Sequence, residues 1–153
     1  MTFTRTDSIA SSVLVIESDP LMLTAMGSVM NMQGHRTTLA RTEEVAMQAI
    51  LAGQFDVIIL SIDDVDTGCA FAGRLRASAS TGEVPVIFLV TQHTAADKQR
   101  LAGHGGVFSM LKPIDPYGLI ELVEKALWMP HIAKARIGSP NVLQSRQSDW
   151  LRL

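Results

Sequence analysis

Three short runs in this chain contain only apolar residues, most of them β-branched: Val13-Leu14-Val15-Ile16, Val57-Ile58-Ile59-Leu60 and Val86-Ile87-Phe88-Leu89-Val90. A strand with one face in water alternates apolar and polar side chains. A strand without that alternation is buried on both faces, as in a parallel sheet covered by helices. His35 to Ala40 and Val107 to Leu111 are weaker strands of the same kind.

Helical segments separate the runs. Asp19-Pro20 reads as an N-cap followed by a first-turn proline, opening a helix with Leu23, Met26, Val29 and Met30 on one face. Thr42, followed by Glu43 and Glu44, opens a second, with Val45, Ala46, Ala49 and Ile50 inward and Gly53 as its stop. A third starts near Gly68, carries Phe71, Leu75 and Arg76, and breaks at Ser78 to Gly82. Thr94-Ala95-Ala96-Asp97 has the form of a capping box for a fourth. Asp115-Pro116 repeats the cap-proline signal for a fifth, with Leu119, Leu122, Val123 and Ala126 facing the core.

Five β-α units over residues 12–129 imply an α/β fold: a doubly wound, five-stranded parallel sheet with five helices and right-handed crossovers. Residues 1–11 form an N-terminal extension and 130–153 a C-terminal tail. In such folds the working site lies beyond the carboxyl ends of the strands. The residues there are Glu17, Ser18 and Asp19; Ser61 to Asp64; Val90 and Thr91; and Lys112-Pro113. Asp56 precedes its strand and belongs at the opposite end.

Composition narrows the function classes. A 47% hydrophobic fraction with 18% charge excludes a disordered chain, and a net charge of -2 gives no electrostatic case for nucleic acid or an anionic membrane. The single cysteine, Cys69, allows no internal disulfide, which fits a reducing cytoplasm. The polar start lacks the apolar core of a secretory signal, and no apolar run approaches the roughly 20 residues of a membrane helix. His35, His93, His104 and His131 lack metal-ligand spacing. Gly103, Gly105 and Gly106 precede a strand and suit a loop, without the strand-then-helix context of a dinucleotide fingerprint. The methionines read as core filler, with Met22, Met30 and Met32 partly exposed.

Four fragments carry a family resemblance: Val13 to Pro20, Phe55 to Ser61, Pro85 to Val90, and Lys112-Pro113. Each is weak alone. In this order, at matching strand ends, they resemble the receiver domain of two-component response regulators, a flavodoxin-like fold, over residues 12–129. The resemblance implies roles position by position. Glu17 and Ser18 match the acidic pair that helps hold magnesium. Ser61 matches the phosphate-accepting aspartate, and Val90 the hydroxyl residue that contacts bound phosphate. Lys112 matches the retained lysine, and Ser109 the aromatic switch position, with Phe108 one step away.

Of three expected carboxylates, Glu17 alone remains. Magnesium needs oxygen ligands in near-octahedral geometry, usually with one or two carboxylates, so its binding should be weak or lost. Val90 has no hydrogen bond to give a phosphate. Lys112 should form an ion pair with Glu17, Asp19 or Asp63. The reading is a pseudo-receiver: a non-catalytic, cytoplasmic signalling module that needs no cofactor. It acts by protein-protein interaction and is not switched by aspartyl phosphate. Its partner is a signalling protein, such as a histidine kinase or another regulator, or a second copy bound through the fourth helix, fifth strand and fifth helix. Nucleic acid and membrane are not expected partners.

Three alternatives stand beside it. Thr91 supplies the hydroxyl if the fourth strand ends one residue later. Asp63 or Asp64 serves as a surrogate acceptor in a working phosphorelay. Or the emptied pocket senses a small molecule. The tail carries Lys134, Arg136, Arg146 and Arg152 against Asp149, and reads as flexible or as a short docking helix using Trp150 and Leu151.

Overall fold

The computed structural model describes residues 10–92, 94–104 and 106–135. Strands and helices alternate throughout: β1 (Ser12–Ile16), α1 (Pro20–Met32), β2 (Arg36–Ala40), α2 (Glu43–Ala52), β3 (Val57–Ser61), α3 (Val65–Ala77), β4 (Val86–Val90), α4 (Ala95–Gly103), β5 (Gly106–Leu111) and α5 (Pro116–Ala135). One parallel sheet runs in the order β2-β1-β3-β4-β5. Its register pairs Ile16 with both Ala40 and Leu60, Ser61 with Leu89, and Val90 with Leu111.

The apolar runs are buried because they feed two cores by turns. Val13, Val15, Val57, Ile59, Ile87 and Leu89 face α1 and α5, packing on Met26, Met30, Leu119 and Val123. Leu14, Ile16, Ile58, Leu60, Phe88 and Val90 face the other way, onto Ile50 of α2, Phe71 and Leu75 of α3 and Leu101 of α4. Successive strand residues point to opposite sides, so an unbroken apolar run serves both layers. Each fully buried Leu, Ile or Phe contributes about 1.5–3 kcal/mol of transfer free energy.

The caps lie where their residue types place them. Asp19 accepts from the Leu21 N–H at 3.1 Å, and Thr42 from Val45 at 3.1 Å. Thr94 and Asp97 form the reciprocal box, at 3.1 and 3.2 Å. Asp115 accepts from the Gly118 N–H at 3.2 Å. Gly34 turns the chain from α1 into β2 at φ 91°, a left-handed conformation that favours glycine.

Four readings need correction. Helix α3 opens at Val65, not near Gly68, because Asp64 caps it by accepting the Thr67 N–H at 3.0 Å. Gly68 has another role: a Cβ there would lie 2.7 Å from Ile62 Cδ1, so glycine lets α3 press onto the end of β3. Val45 is exposed, since α2 touches the sheet chiefly through Ala46 and Ile50, one turn apart. Met30 is fully buried in the α1 core, although Met32 is exposed.

Helix α5 continues through residue 129 to Ala135, so the position read as the domain end falls inside a helix. Residues 1–9 and 136–153 lie outside the described residues, and with them the readings of the extreme N-terminus and of a tail helix around Trp150. The break at Ser78 to Gly82 is held by Arg76, whose guanidinium donates to the Gly82 carbonyl at 2.6 Å and to the Val84 carbonyl. The Thr81 hydroxyl donates back to the Leu75 carbonyl at 2.7 Å.

Candidate functional site

The carboxyl ends of the strands gather the residues that sequence position singles out. Glu17 follows β1 one step beyond the Ile16–Leu60 pair, which sets it level with Ser61 on β3. Val90 ends β4, fully buried, and its carbonyl accepts the Lys112 N–H at 2.8 Å. Glu17, Ser61, Val90 and Lys112 thus stand side by side along one edge. Ser18 and Asp19 are exposed at the start of α1. Asp56 is at the far end, where its carboxylate accepts the Ser12 N–H at 2.8 Å.

Glu17 is the innermost of these charged groups, with only 5% of its surface exposed. Its Oε2 accepts the Asp19 N–H at 2.9 Å. Among the described residues the buried side-chain polar atom left without a partner is Arg76 Nε, so neither oxygen of Glu17 is both buried and orphaned. Ser61 is half-buried beside it.

Of the three carboxylates open to Lys112 in the sequence, the structure selects Asp63, at 3.3 Å from Nζ. The lysine side chain is 18% exposed and the aspartate 81%. Asp64 is committed elsewhere: both the Thr67 N–H and the Thr67 hydroxyl donate to it, and these bonds hold its carboxyl below the usual aspartate range.

Two openings flank the row. A cavity of about 330 Å³ lies between α2 and α3, over the ends of β1 and β3, lined by Glu17, Ser61, Arg41, Leu60, Ile62 and Phe71 among others. Across Asp63 lies a more open, polar cleft of about 260 Å³, bounded by Asp66, Thr91, Asp97 and Arg100. There Arg100 pairs with Asp66 at 2.6 Å. Thr91 belongs to this outer cleft and is exposed, whereas Val90 is the last paired residue of β4. The strand therefore ends where the first register placed it, not one residue later.

On β5, Phe108 is buried in the α1–α5 core, while Ser109 takes the alternate, half-buried position. Phe108 therefore does not substitute for a side chain at residue 109. Among the described residues no three His, Cys, Asp or Glu side chains converge on a point that could hold a metal ion. Cys69 is buried, and burial pushes its thiol pKa up, which makes it a poor nucleophile. His35 lies 3.6 Å from Glu124, a contact between the start of β2 and α5. His93 lies outside the described residues. No helix among the described residues is long and apolar enough to cross a membrane.

Arg41 and Phe71 as cavity residues were not visible in the sequence as site residues. Arg41 sits in a β–α loop and Phe71 one turn past Gly68; only the packing of α3 against β3 brings them to the same opening as Glu17.

A sequence model of the response regulator receiver domain matches residues 13–124. Among curated proteins, the aerobic respiration control sensor protein ArcB of Escherichia coli (strain K12) is 25% identical over 117 residues, which are 76% of this chain and 15% of ArcB. The DNA-binding transcriptional regulator NtrC of Bradyrhizobium sp. (strain RP501 Parasponia) is 27% identical over 131 residues, 86% of this chain and 26% of NtrC. The chain thus matches about a quarter or less of each relative's length. Among solved structures, chemotaxis response regulator CheY4 of Vibrio cholerae superposes with a TM-score of 0.71 at 21% identity, covering 77% of this chain and 99% of that one. The receiver domain of sensor histidine kinase PA1611 from Pseudomonas aeruginosa PAO1, described with a magnesium ion coordinated in its active-site cleft, gives 0.66 at 20% identity over 78% of this chain and 98% of that one.

Proposed function

Because this chain belongs to the response regulator receiver family, we propose that it is a signalling module that keeps the receiver fold and works without phosphoryl transfer to an aspartate. The observation that carries the reading is the placement of Ser61 beside Glu17, each one step beyond the Ile16–Leu60 pair, at the sheet's working edge. A hydroxyl stands where the family presents its acceptor carboxylate. Glu17, the carboxylate at the neighbouring strand end, is half engaged by the Asp19 N–H. Such a donor set binds magnesium weakly, because a hard cation that sheds water reluctantly needs more than one anionic oxygen here. A serine phosphoester would not replace a short-lived acyl phosphate. Val90 offers no hydroxyl to a phosphate, and Ser109 no aromatic ring to a switch.

On this reading the protein is not an enzyme, and it signals by binding a protein in the cytoplasm. Its partner is a histidine kinase, another regulator or a second copy. The α4–β5–α5 side suits such contact: Leu111 at the end of β5 is 53% exposed and Tyr117 in the first turn of α5 is 82% exposed. Incubation with acetyl phosphate, or with beryllofluoride and magnesium at millimolar levels, should give no mass gain and no saturable spectral change. A saturable response overturns the proposal.

One observation favours a second reading, a phosphorelay receiver with Asp63 as the acceptor. Lys112 pairs with that residue, and Asp63 is otherwise open to solvent. Asp64 is the weaker surrogate, since its oxygens are held by Thr67. A phosphotransfer assay with Asp63→Ala and Asp64→Ala separates the readings. Label that appears and is lost in Asp63→Ala alone establishes the second.

A further inference from the structure

Helix α1 carries no charged residue from Pro20 to Met32, whereas each of the other four helices carries at least two. One face of α1 is committed to the fold. Leu23, Met26 and Met30 enter the core, and Gly27 lets Leu39 of β2 close against the helix. The opposite face is exposed, and on a surface helix that face normally carries charge. Here it presents Leu21 at 81% and Met32 at 82% exposure.

Ala25 and Ser28 lie between them, both exposed. The steps from Leu21 to Ala25, Ser28 and Met32 are four, three and four residues, the spacing of a helix–helix seam. At 1.5 Å per residue the seam is about 16 Å long. It also matches its own reverse. Turned end for end about a point between Met26 and Gly27, it sets Leu21 opposite Met32 and Ala25 opposite Ser28.

Helix α5 repeats the spacing with Tyr117, Glu121, Glu124 and Trp128, all exposed, but has two acids at its centre. Laid on a second α5, those carboxylates would face each other; laid on α1, they would be covered by Ala25 and Ser28 with nothing to pair them. An α1 seam laid on another α1 seam meets neither cost.

We propose that α1 is a self-association surface, through which two copies of this chain pack antiparallel about a two-fold axis near Met26 and Gly27. The same patch serves both copies, so association stops at a dimer. Large side chains pair at both ends, and the small ones at the centre let the helix axes approach to about 8 Å. Leu39, 40% exposed at the sheet edge beside Gly27, extends the apolar patch. One helix face about 20 Å long buries less than the roughly 1,200 Å² of a stable interface, so the dimer is weak, with a dissociation constant of about 0.1 mM. Because α1 starts at the working edge, just after its cap Asp19, the antiparallel pair sends the two working edges to opposite ends. The contact uses no residue of the phosphorylation pocket and is independent of the chemistry there.

Sedimentation and amide shifts of the full chain test it. Between about 10 µM and about 1 mM the chain should pass from largely monomer to largely dimer. Shifts over that range should concentrate at Leu21, Ala25, Ser28 and Met32 and spare Tyr117 and Trp128. Ser28→Glu covers a charge and sets it near its two-fold mate, so it should weaken association at least about tenfold; Ser28→Lys should do the same. Mixed one to one, the two variants should associate at least about tenfold more tightly than either alone. Tyr117→Glu should leave the dimer unchanged.

A chain that stays monomeric at about 1 mM overturns the proposal and leaves the face to a different protein. So do concentration-dependent shifts centred on Tyr117 and Trp128, or loss of the dimer in Tyr117→Glu. None of these outcomes needs the Ser28 variants to fold. If both variants are folded by circular dichroism and their mixture is no tighter than either alone, the antiparallel two-fold is wrong and the proposal falls.

Discussion

Replacing Ser61 with aspartate should destabilise this protein, and by an amount the sheet geometry fixes. Ile16 and Leu60 are paired across β1 and β3, and Glu17 and Ser61 follow them. Neighbouring strands lie about 4.8 Å apart, so carboxylates on these two residues would sit about 5–6 Å from each other. At an effective dielectric of about 20, two like charges at that distance repel by about 3 kcal/mol. Lys112 can swing from Asp63 to offset part of this. The pair it leaves is 81% exposed on the aspartate side and worth at most about 1 kcal/mol. The expected net cost is about 2 kcal/mol. For a domain of this length that is a fall in Tm of about 4–8 °C.

Thermal unfolding followed by circular dichroism measures it. Ser61→Asn, similar in shape and uncharged, should lose no more than about 2 °C. Magnesium adds a second arm. The variant presents two carboxylates, so about 10 mM magnesium against a millimolar site should restore about 1.4 kcal/mol, or about 3–5 °C. The unaltered chain should show no such rise. If Ser61→Asp melts at the temperature of Ser61→Asn without magnesium, Glu17 and residue 61 do not share a pocket and the site is misbuilt. A magnesium-induced rise in the unaltered chain would refute the claim that Ser61 and Ser18 remove the cation site.

Three further outcomes are expected. Phe88→Ala removes a fully buried ring from the core under α3 and should cost about 3–5 kcal/mol, read as a lower urea midpoint. Asp64 has its carboxyl held below the usual range by Thr67, so its cap is present at neutral pH and is lost as pH falls below about 4; Asp64→Asn, a neutral cap, should remove that part of the acid dependence in stability measured from pH 6 downward. Cys69 is buried with its thiol pKa raised, so iodoacetamide near pH 8 should leave the folded chain unmodified over a time that fully labels it in urea.

The elements most legible in the sequence were those whose signal is local. Val57 to Leu60 could serve only as a doubly buried strand, and Thr94 with Asp97 named its own box. What escaped depended on contacts between elements. Asp64 looked like a loop acid next to Ser61, because nothing local ranks it above Gly68 as a helix start. Gly68 looked like a helix opening; its glycine character is required by Ile62, six residues earlier on the neighbouring strand end. Val45 fitted an inward stripe on its helix, but α2 meets the sheet through a strip only two side chains wide. At the site, strand-end position placed Glu17, Ser61, Val90 and Lys112 correctly along one edge. The cavity escaped, since Arg41 and Phe71 reach it from loops and helices set by tertiary packing.

The charges at that edge now form a consistent set. If Ser18 and Ser61 were both carboxylates, three negative groups would surround Lys112, and a divalent cation would be needed to hold them together. With serine at both positions the need for the cation goes, and Lys112 is left with a charge to satisfy. Asp63 meets it, from two residues beyond Ser61 and almost wholly in solvent. An exposed pair of this kind is weak, so Lys112 is tethered rather than locked. Glu17 lies on the other side of the row and takes its one hydrogen bond from the backbone of Asp19 rather than from the lysine. Glu17 and Lys112 therefore do not pair with each other. The Lys112 side chain stays only 18% exposed while it reaches Asp63, and Glu17 lines the cavity.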